Sequence, residues 1–131
     1  MNDLVGRTLS KYRIVARLGR GGMAEVYKAY QPGLNRYVAV KVLHSHLADD
    51  EDFIGRFERE ATAVARLRHP HIVQVFDFDV EASMYYMVME FVEGPTLKAE
   101  LKERSEKGQI FTLPETYRII SALASAIDYA H

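Results

Sequence analysis

The chain has 131 residues, 48% of them hydrophobic and 27% charged, with a formal net charge of −1 and no cysteine. That length fits one domain, or one lobe of a larger domain with a little of the next. The near-neutral charge leaves no basic footprint for nucleic acid or anionic lipid, and the lack of cysteine excludes disulfides and thiolate metal sites.

The opening Met1-Asn2-Asp3-Leu4 lacks the basic and apolar stretches of a secretory leader. No run approaches the roughly 20 apolar residues of a membrane span. The chain reads as cytoplasmic, with anchoring of a longer parent by a later segment left open. Tyr12 to Leu18 alternates, with Tyr12, Ile14, Ala16 and Leu18 on one face and Arg13 and Arg17 on the other, which predicts a half-buried strand. Glycines follow at 19, 21 and 22, and strand-like composition resumes at Glu25-Val26-Tyr27-Lys28-Ala29-Tyr30. Turn chemistry at Pro32-Gly33-Leu34-Asn35 leads into a β-rich run from Tyr37 to Leu43. Three strands joined by short connections predict an antiparallel meander.

From about Asp50 to Leu67 the apolar period becomes helical, with Phe53, Phe57, Val64 and Leu67 on one stripe and Pro70 as a stop. Ile72 to Phe78 and Tyr85 to Met89 predict two more strands around an acidic loop at Glu81 to Ser83. Glu93-Gly94-Pro95 breaks the pattern and marks the one internal boundary. Thr96 caps a predicted helix to about Lys107, closed by Gly108. Thr112-Leu113-Pro114-Glu115 has capping-box spacing and opens a last helix.

The segment Gly19-Arg20-Gly21-Gly22-Met23-Ala24-Glu25-Val26 can turn tightly and let backbone approach a phosphate. By itself it also fits an ordinary glycine-rich hairpin. A dinucleotide fold needs a helix directly after the glycines, and a Walker-type loop needs Lys-Ser or Lys-Thr; neither is present. Along Val38-Ala39-Val40-Lys41 the valines share one face, while Ala39 and Lys41 share the other, a small flat residue beside a cation. Alone, Lys41 also reads as a solvent-facing lysine. Glu60, placed within the arc of Phe53, Phe57, Val64 and Leu67, calls for a charge partner, since an unpaired buried carboxylate costs several kcal/mol. Lys41 is the best candidate, and the other reading has Glu60 at the stripe's edge reaching water. His44 and His46 sit near a strand end without a ligand constellation, His69 reads as a turn residue, and Asp49 to Asp52 as helix N-terminal charge.

Gly19-x-Gly21-x-x-Ala24-x-Val26, Val38-Ala39-Val40-Lys41, Arg59-Glu60-Ala61, His69-Pro70-His71-Ile72-Val73 and Tyr86-Met87-Val88-Met89-Glu90 stand in the order and spacing of a protein-kinase N-terminal lobe. The chain resembles the bacterial receptor-type, eukaryotic-like Ser/Thr kinases over nearly its whole length. One departure is Ala24, where the family's loop has its third glycine. The resemblance implies an α+β fold: a kinase N-lobe over residues 1–91, with a five-stranded antiparallel sheet and one regulatory helix. Residues 92–131 would then be the hinge and the first two helices of an incomplete C-lobe.

It further implies ATP binding, with Mg²⁺ in the full-length parent and no protein metal ligand in this chain. The loop of Leu18, Gly19, Gly21, Gly22, Met23 and Val26 would cover the phosphates. Lys41 would contact the α- and β-phosphates and Glu60 would hold that lysine. Val26 and Ala39 would pack on adenine, Met89 would be the gatekeeper, and the Glu90 carbonyl and Val92 amide would pair with the adenine edge. If the Lys41–Glu60 pair is truly buried, breaking it would cost up to ~3–5 kcal/mol.

The His-Arg-Asp and Asp-Phe-Gly segments that supply the family's catalytic Asp and metal ligands do not occur in these residues. The polypeptide is therefore expected to be inactive alone, as the ATP-binding part of a kinase whose parent phosphorylates protein Ser/Thr. The alternative is a non-catalytic kinase-like module for dimerisation or regulation. Tyr117, Ile119, Ile120, Leu123, Ala124, Ala126, Ile127 and Ala130 make a broad apolar face, which predicts homo-oligomerisation through 113–131.

Overall fold

The computed structural model describes residues 3–131. Met1 and Asn2, which enter the leader reading and the first predicted domain, lie outside the described residues. The chain forms two compact units. One comprises the described residues up to Arg68 together with Val73–Phe91, and the other His69–Ile72 with Val92–His131.

The first unit is built on β1 (Thr8–Leu9), β2 (Tyr12–Arg20), β3 (Ala24–Gln31), β4 (Arg36–Leu43), α1 (Glu51–Ala65), β5 (Val75–Glu81) and β6 (Met84–Glu90). The strands form one antiparallel sheet in the order β1-β2-β3-β4-β6-β5. The sheet therefore has six strands, where five were expected from the sequence. The extra strand, β1, is two residues long, too short for an alternating pattern to register, and it turns back through Ser10 at a φ of 55°.

Strand alternation divides the core in two. Tyr12, Ile14, Tyr27, Ala29, Val38, Val40, Val42, Tyr86 and Val88 pack on one face with Leu4 and Leu9 of the N-terminal segment. Ala24, Leu43, Val75 and Met87 pack on the other with Phe57 and Ala61 of α1. The expected inward face of β2 is corrected at its far end. Register shifts fall between Ile14 and Ala16 and between Arg17 and Gly19, and Leu18 is 49% exposed. Each bulge inserts an extra residue and resets the alternation, so a period of two cannot be carried across it.

Asp50 caps α1 by accepting from the Asp52 N–H at 2.9 Å. The helix ends at Ala65, so Leu67 lies beyond it, its N–H donating to the Val64 carbonyl at 3.0 Å. β5 begins at Val75 instead of Ile72, because the chain first turns at Pro70, with the Ile72 N–H donating to the His69 carbonyl at 3.1 Å. The β5–β6 turn places Ala82 and Ser83 at φ 49° and 64°, the mirror-image geometry that suits the right-handed twist of a two-residue hairpin.

The second unit carries α2 (Leu97–Glu106) and α3 (Leu113–Ala130). Thr96 caps α2 by accepting from the Ala99 N–H at 3.0 Å. Gly108, at φ 69°, closes it, with the Gly108 N–H on Ser105 and the Gln109 N–H on Arg104. The capping box at α3 is complete: Glu115 N–H to the Thr112 hydroxyl at 3.2 Å and Thr112 N–H to the Glu115 carboxylate at 3.0 Å. Arg104 joins the helices, donating to Glu100 at 3.0 Å and Glu115 at 2.7 Å with its guanidinium 4.1 Å from the Phe111 ring centre. Its hydrogen bond, followed by those from the Thr112 backbone and hydroxyl, lowers the Glu115 carboxyl to about 2. No helix among the described residues is long and apolar enough to cross a membrane.

Candidate functional site

Between β2 and β3 the glycine segment forms a tight connection, with the Gly21 N–H donating to the Ala24 carbonyl at 2.8 Å. A side chain at Gly19 or Gly22 would meet no atom within 4 Å, and the φ angles there are not positive. Backbone conformation does not demand these glycines; what they leave is bare backbone with open space beside it. Met23 behaves differently from the rest of the loop. Its side chain packs against the core cluster that includes Phe57 and Met87, anchoring the tip.

Lys41 lies on β4 directly across from Val26 of β3. Its Nζ donates to Glu60 Oε1 at 2.7 Å, nineteen residues away in sequence, so strand and helix join through one charged contact. An ammonium has three donors, and this contact uses one. The side chains are 24% exposed for Lys41 and 40% for Glu60. That corrects the expectation of Glu60 amid the buried arc. The centre of the stripe is Phe57 and Ala61, four residues apart, and Glu60 stands on its flank with access to water. The pair therefore falls between an exposed ion pair and a buried one, well below the ~3–5 kcal/mol that loss of a buried partner costs.

Ala39 is buried on the same face of β4 as Lys41, across from Met89 of β6. Val26, Lys41, Ala39 and Met89 thus share one face of three adjacent strands. Leu18 is exposed beside the glycines. Glu90 ends β6, with its N–H on the Gln74 carbonyl at 2.8 Å and its carboxylate accepting from the Gln74 N–H at 3.2 Å. Val92 is exposed and belongs to the second unit.

Sequence reasoning missed a second charged group at the loop. Glu25 is 1% exposed, next to the glycines on the face opposite Val26. The Tyr27 hydroxyl donates to Glu25 Oε2, and Arg20 Nε lies 2.9 Å from Oε1 as an ionic contact off the line of a directed hydrogen bond, with Arg17 at 3.9 Å. Burial works to raise the Glu25 carboxyl, but the Tyr27 hydroxyl, Arg20 and Arg17 together outweigh it, and the pKa is lowered. Burial and the Glu25 contact push Tyr27 up to about 12. His44, also read as unremarkable, is buried at the end of β4 with its Nε2 2.8 Å from the Gly21 carbonyl oxygen. The signal for Glu25 was its odd-numbered position, which puts a carboxylate in line with Tyr27 and Ala29.

Bare loop backbone, a cation with donors to spare and a small apolar patch fit a nucleoside triphosphate: amides and ammonium for anionic oxygens, Val26 and Ala39 for a flat base. The fit does not extend to a protein-held metal. Among the described residues no group of three or more His, Cys, Asp or Glu is arranged to hold one.

The family "Protein kinase domain" matches residues 12–131. Among similar proteins, the serine/threonine-protein kinase PrkC of Bacillus subtilis is 42% identical over 129 residues, 98% of this chain and 19% of that protein. The serine/threonine-protein kinase PknF of Mycobacterium tuberculosis is 43% identical over 126 residues, 96% of this chain and 26% of that protein. The crystal structure of the Mycobacterium tuberculosis PknI kinase domain superposes with a TM-score of 0.76 at 36% identity, over 96% of this chain and 50% of that one. The chain thus spans a fifth to a quarter of the length of these curated relatives and half of that kinase domain.

Proposed function

The chain belongs to the protein kinase domain family, and on that premise we propose that it is the ATP-binding portion of a kinase that transfers phosphoryl groups to protein serine or threonine. The observation that carries the reading is the 2.7 Å contact between Lys41 and Glu60, made on the sheet face shared by Val26, Ala39 and Met89. A strand lysine held by a helix carboxylate keeps its charge at one place, ready for phosphate oxygens. In this reading residues 1–91 form the N-lobe and 92–131 the start of the C-lobe. Leu18, Gly19, Gly21, Gly22 and Met23 roof the phosphates, Lys41 holds two of them, and Glu60 positions Lys41. Val26 and Ala39 pack on adenine, Met89 closes the pocket's back, and the Glu90 carbonyl and Val92 amide pair with the base edge.

When bound, Mg²⁺ would supply charge neutralisation on the phosphates. The residues described here offer it no ligand set, so what these side chains do is bind and orient ATP. Phosphoryl transfer by the 131 residues alone is not expected, because the Asp and Asn residues of the catalytic loop and metal site are not among them. Titrating ATP against wild type and Lys41→Met tests the reading. Binding that weakens at least tenfold in the variant supports it, and equal binding by both proteins refutes it.

A second observation supports self-association as a further part of the proposal. Leu113, Tyr117, Ile120, Leu123 and Ile127 are all exposed along α3. Burying such side chains is worth ~1.5–3 kcal/mol each, enough for several together to drive pairing with a second copy. Sedimentation at high concentration separates this from a monomer.

A further inference from the structure

We propose that His44 is a positioning residue for the phosphate-binding loop, fixing the direction of the backbone at Gly21-Gly22; the inference rests on the nucleotide-binding reading of that loop. His44 immediately follows β4, the strand that carries Lys41 three residues earlier. It holds the loop at two points: its backbone N–H donates to the Met23 carbonyl at 2.9 Å, and its ring Nε2 lies 2.8 Å from the Gly21 carbonyl oxygen. A carbonyl oxygen only accepts, so Nε2 carries the proton in this contact.

The consequence for the loop follows from peptide geometry. The Gly21 C=O and the Gly22 N–H belong to one flat trans peptide and point in opposite directions. With the oxygen tied to His44, the Gly22 N–H is turned away from it. Two glycines in succession have no side chains to fix their own orientation, and this peptide could otherwise rotate at little cost. The ring is well placed to hold it. His44 is buried, stacks on His46 with ring centres 5.4 Å apart, and follows directly on β4, which is hydrogen-bonded to a strand on either side. Met23 pins the other end of the loop tip through its apolar side chain. The role is one of orientation: His44 presents a donor amide to a phosphate while making no contact with nucleotide itself.

The test titrates MgATP and adenosine separately into the 131-residue chain as wild type, Lys41→Met, His44→Leu and His44→Gln. Leucine fills the space without a donor, and glutamine returns an amide N–H at a similar reach. One hydrogen bond's worth of orientation predicts that His44→Leu weakens MgATP about three- to tenfold and leaves adenosine within about twofold. His44→Gln should bind MgATP within about twofold of wild type. If Lys41→Met weakens MgATP but His44→Leu does not, the positioning role is overturned while the nucleotide reading stands. Equal loss of MgATP and adenosine in His44→Leu overturns it too, since that marks general damage. If Lys41→Met changes nothing, the nucleotide reading falls and this inference with it. Should His44→Leu fail to fold by circular dichroism, His44→Asn, too short to reach Gly21, takes its place under the same criteria.

Discussion

Replacing Lys41 by methionine and Glu60 by glutamine, singly and together, measures how much the pair at the centre of the site is worth. Its geometry gives the scale. One contact at 2.7 Å joins side chains that are 24% and 40% exposed, so both keep part of their hydration. Exposed pairs measure ~0.2–1 kcal/mol, and removing one partner of a fully buried pair costs ~3–5 kcal/mol. A pair this wet belongs near the top of the first range, about 1 kcal/mol of coupling. For a chain of this size that corresponds to a Tm difference of about 4 °C. Urea melts of the four proteins close the cycle, and repeating them near 1 M salt should shrink the coupling, because screening reaches partly exposed charges. Coupling of 3 kcal/mol or more would show that the contact is sealed from water. Coupling indistinguishable from zero would show that the two side chains do not meet in solution.

Four further perturbations read other parts of the fold. Glu25→Gln removes a buried carboxylate that Tyr27, Arg20 and Arg17 surround, and should cost about 1–3 kcal/mol, seen as a lower urea midpoint. Because the Glu25 pKa is lowered from 4.5, its contribution is present above that value and lost as pH falls through the folded value; a flat stability profile there would contradict the pairing. The same sign holds for Glu115, lowered from 4.5 to about 2: the link from α2 to α3 should persist at pH 5 and loosen between about 4.5 and 2, followed through the Thr112 amide resonance, and Arg104→Met should move that dependence to higher pH. Ala82→Asn with Ser83→Gly relieves two left-handed positions and should raise stability by about 1 kcal/mol; a loss would mean the turn geometry is different. In Phe57→Ala a fully buried ring between helix and sheet is lost, with an expected cost of about 3–5 kcal/mol by urea titration.

Regular alternation and helical periodicity made most of the fold legible, and Thr96, Gly108, Thr112 and Glu115 announced the ends of the last two helices through their capping chemistry. What escaped did so for identifiable reasons. Leu18 faces water because two bulges in β2 break the count, and a bulge leaves no trace in residue type. Glu60 stands shallower than the large apolar residues of its helix predict, because Ala61, a small member of the stripe, is the residue that meets the sheet beside Phe57. His44 and Glu25 were invisible as loop supports because their partners, Gly21 and Arg20, become neighbours only when the hairpin closes.

Burial at Phe57 and Ala61 decides which interaction places α1. Phe57 and Ala61 are buried against Leu43, Val75 and Met87, and loss of the Phe57 ring alone outweighs the charged pair about threefold or more. The helix is therefore held by its apolar face, and the Lys41–Glu60 contact forms because that packing brings the two charges together. A contact worth so little can be made or broken without unfolding the helix. Lys41 keeps a fixed strand position in either case, and what Glu60 adds is direction. The prediction is that Glu60→Gln weakens ATP binding clearly less than Lys41→Met does, while the helical circular dichroism of both variants stays at the wild-type level. A Glu60→Gln variant that loses helix would show instead that the ion pair, and not Phe57, holds α1 to the sheet.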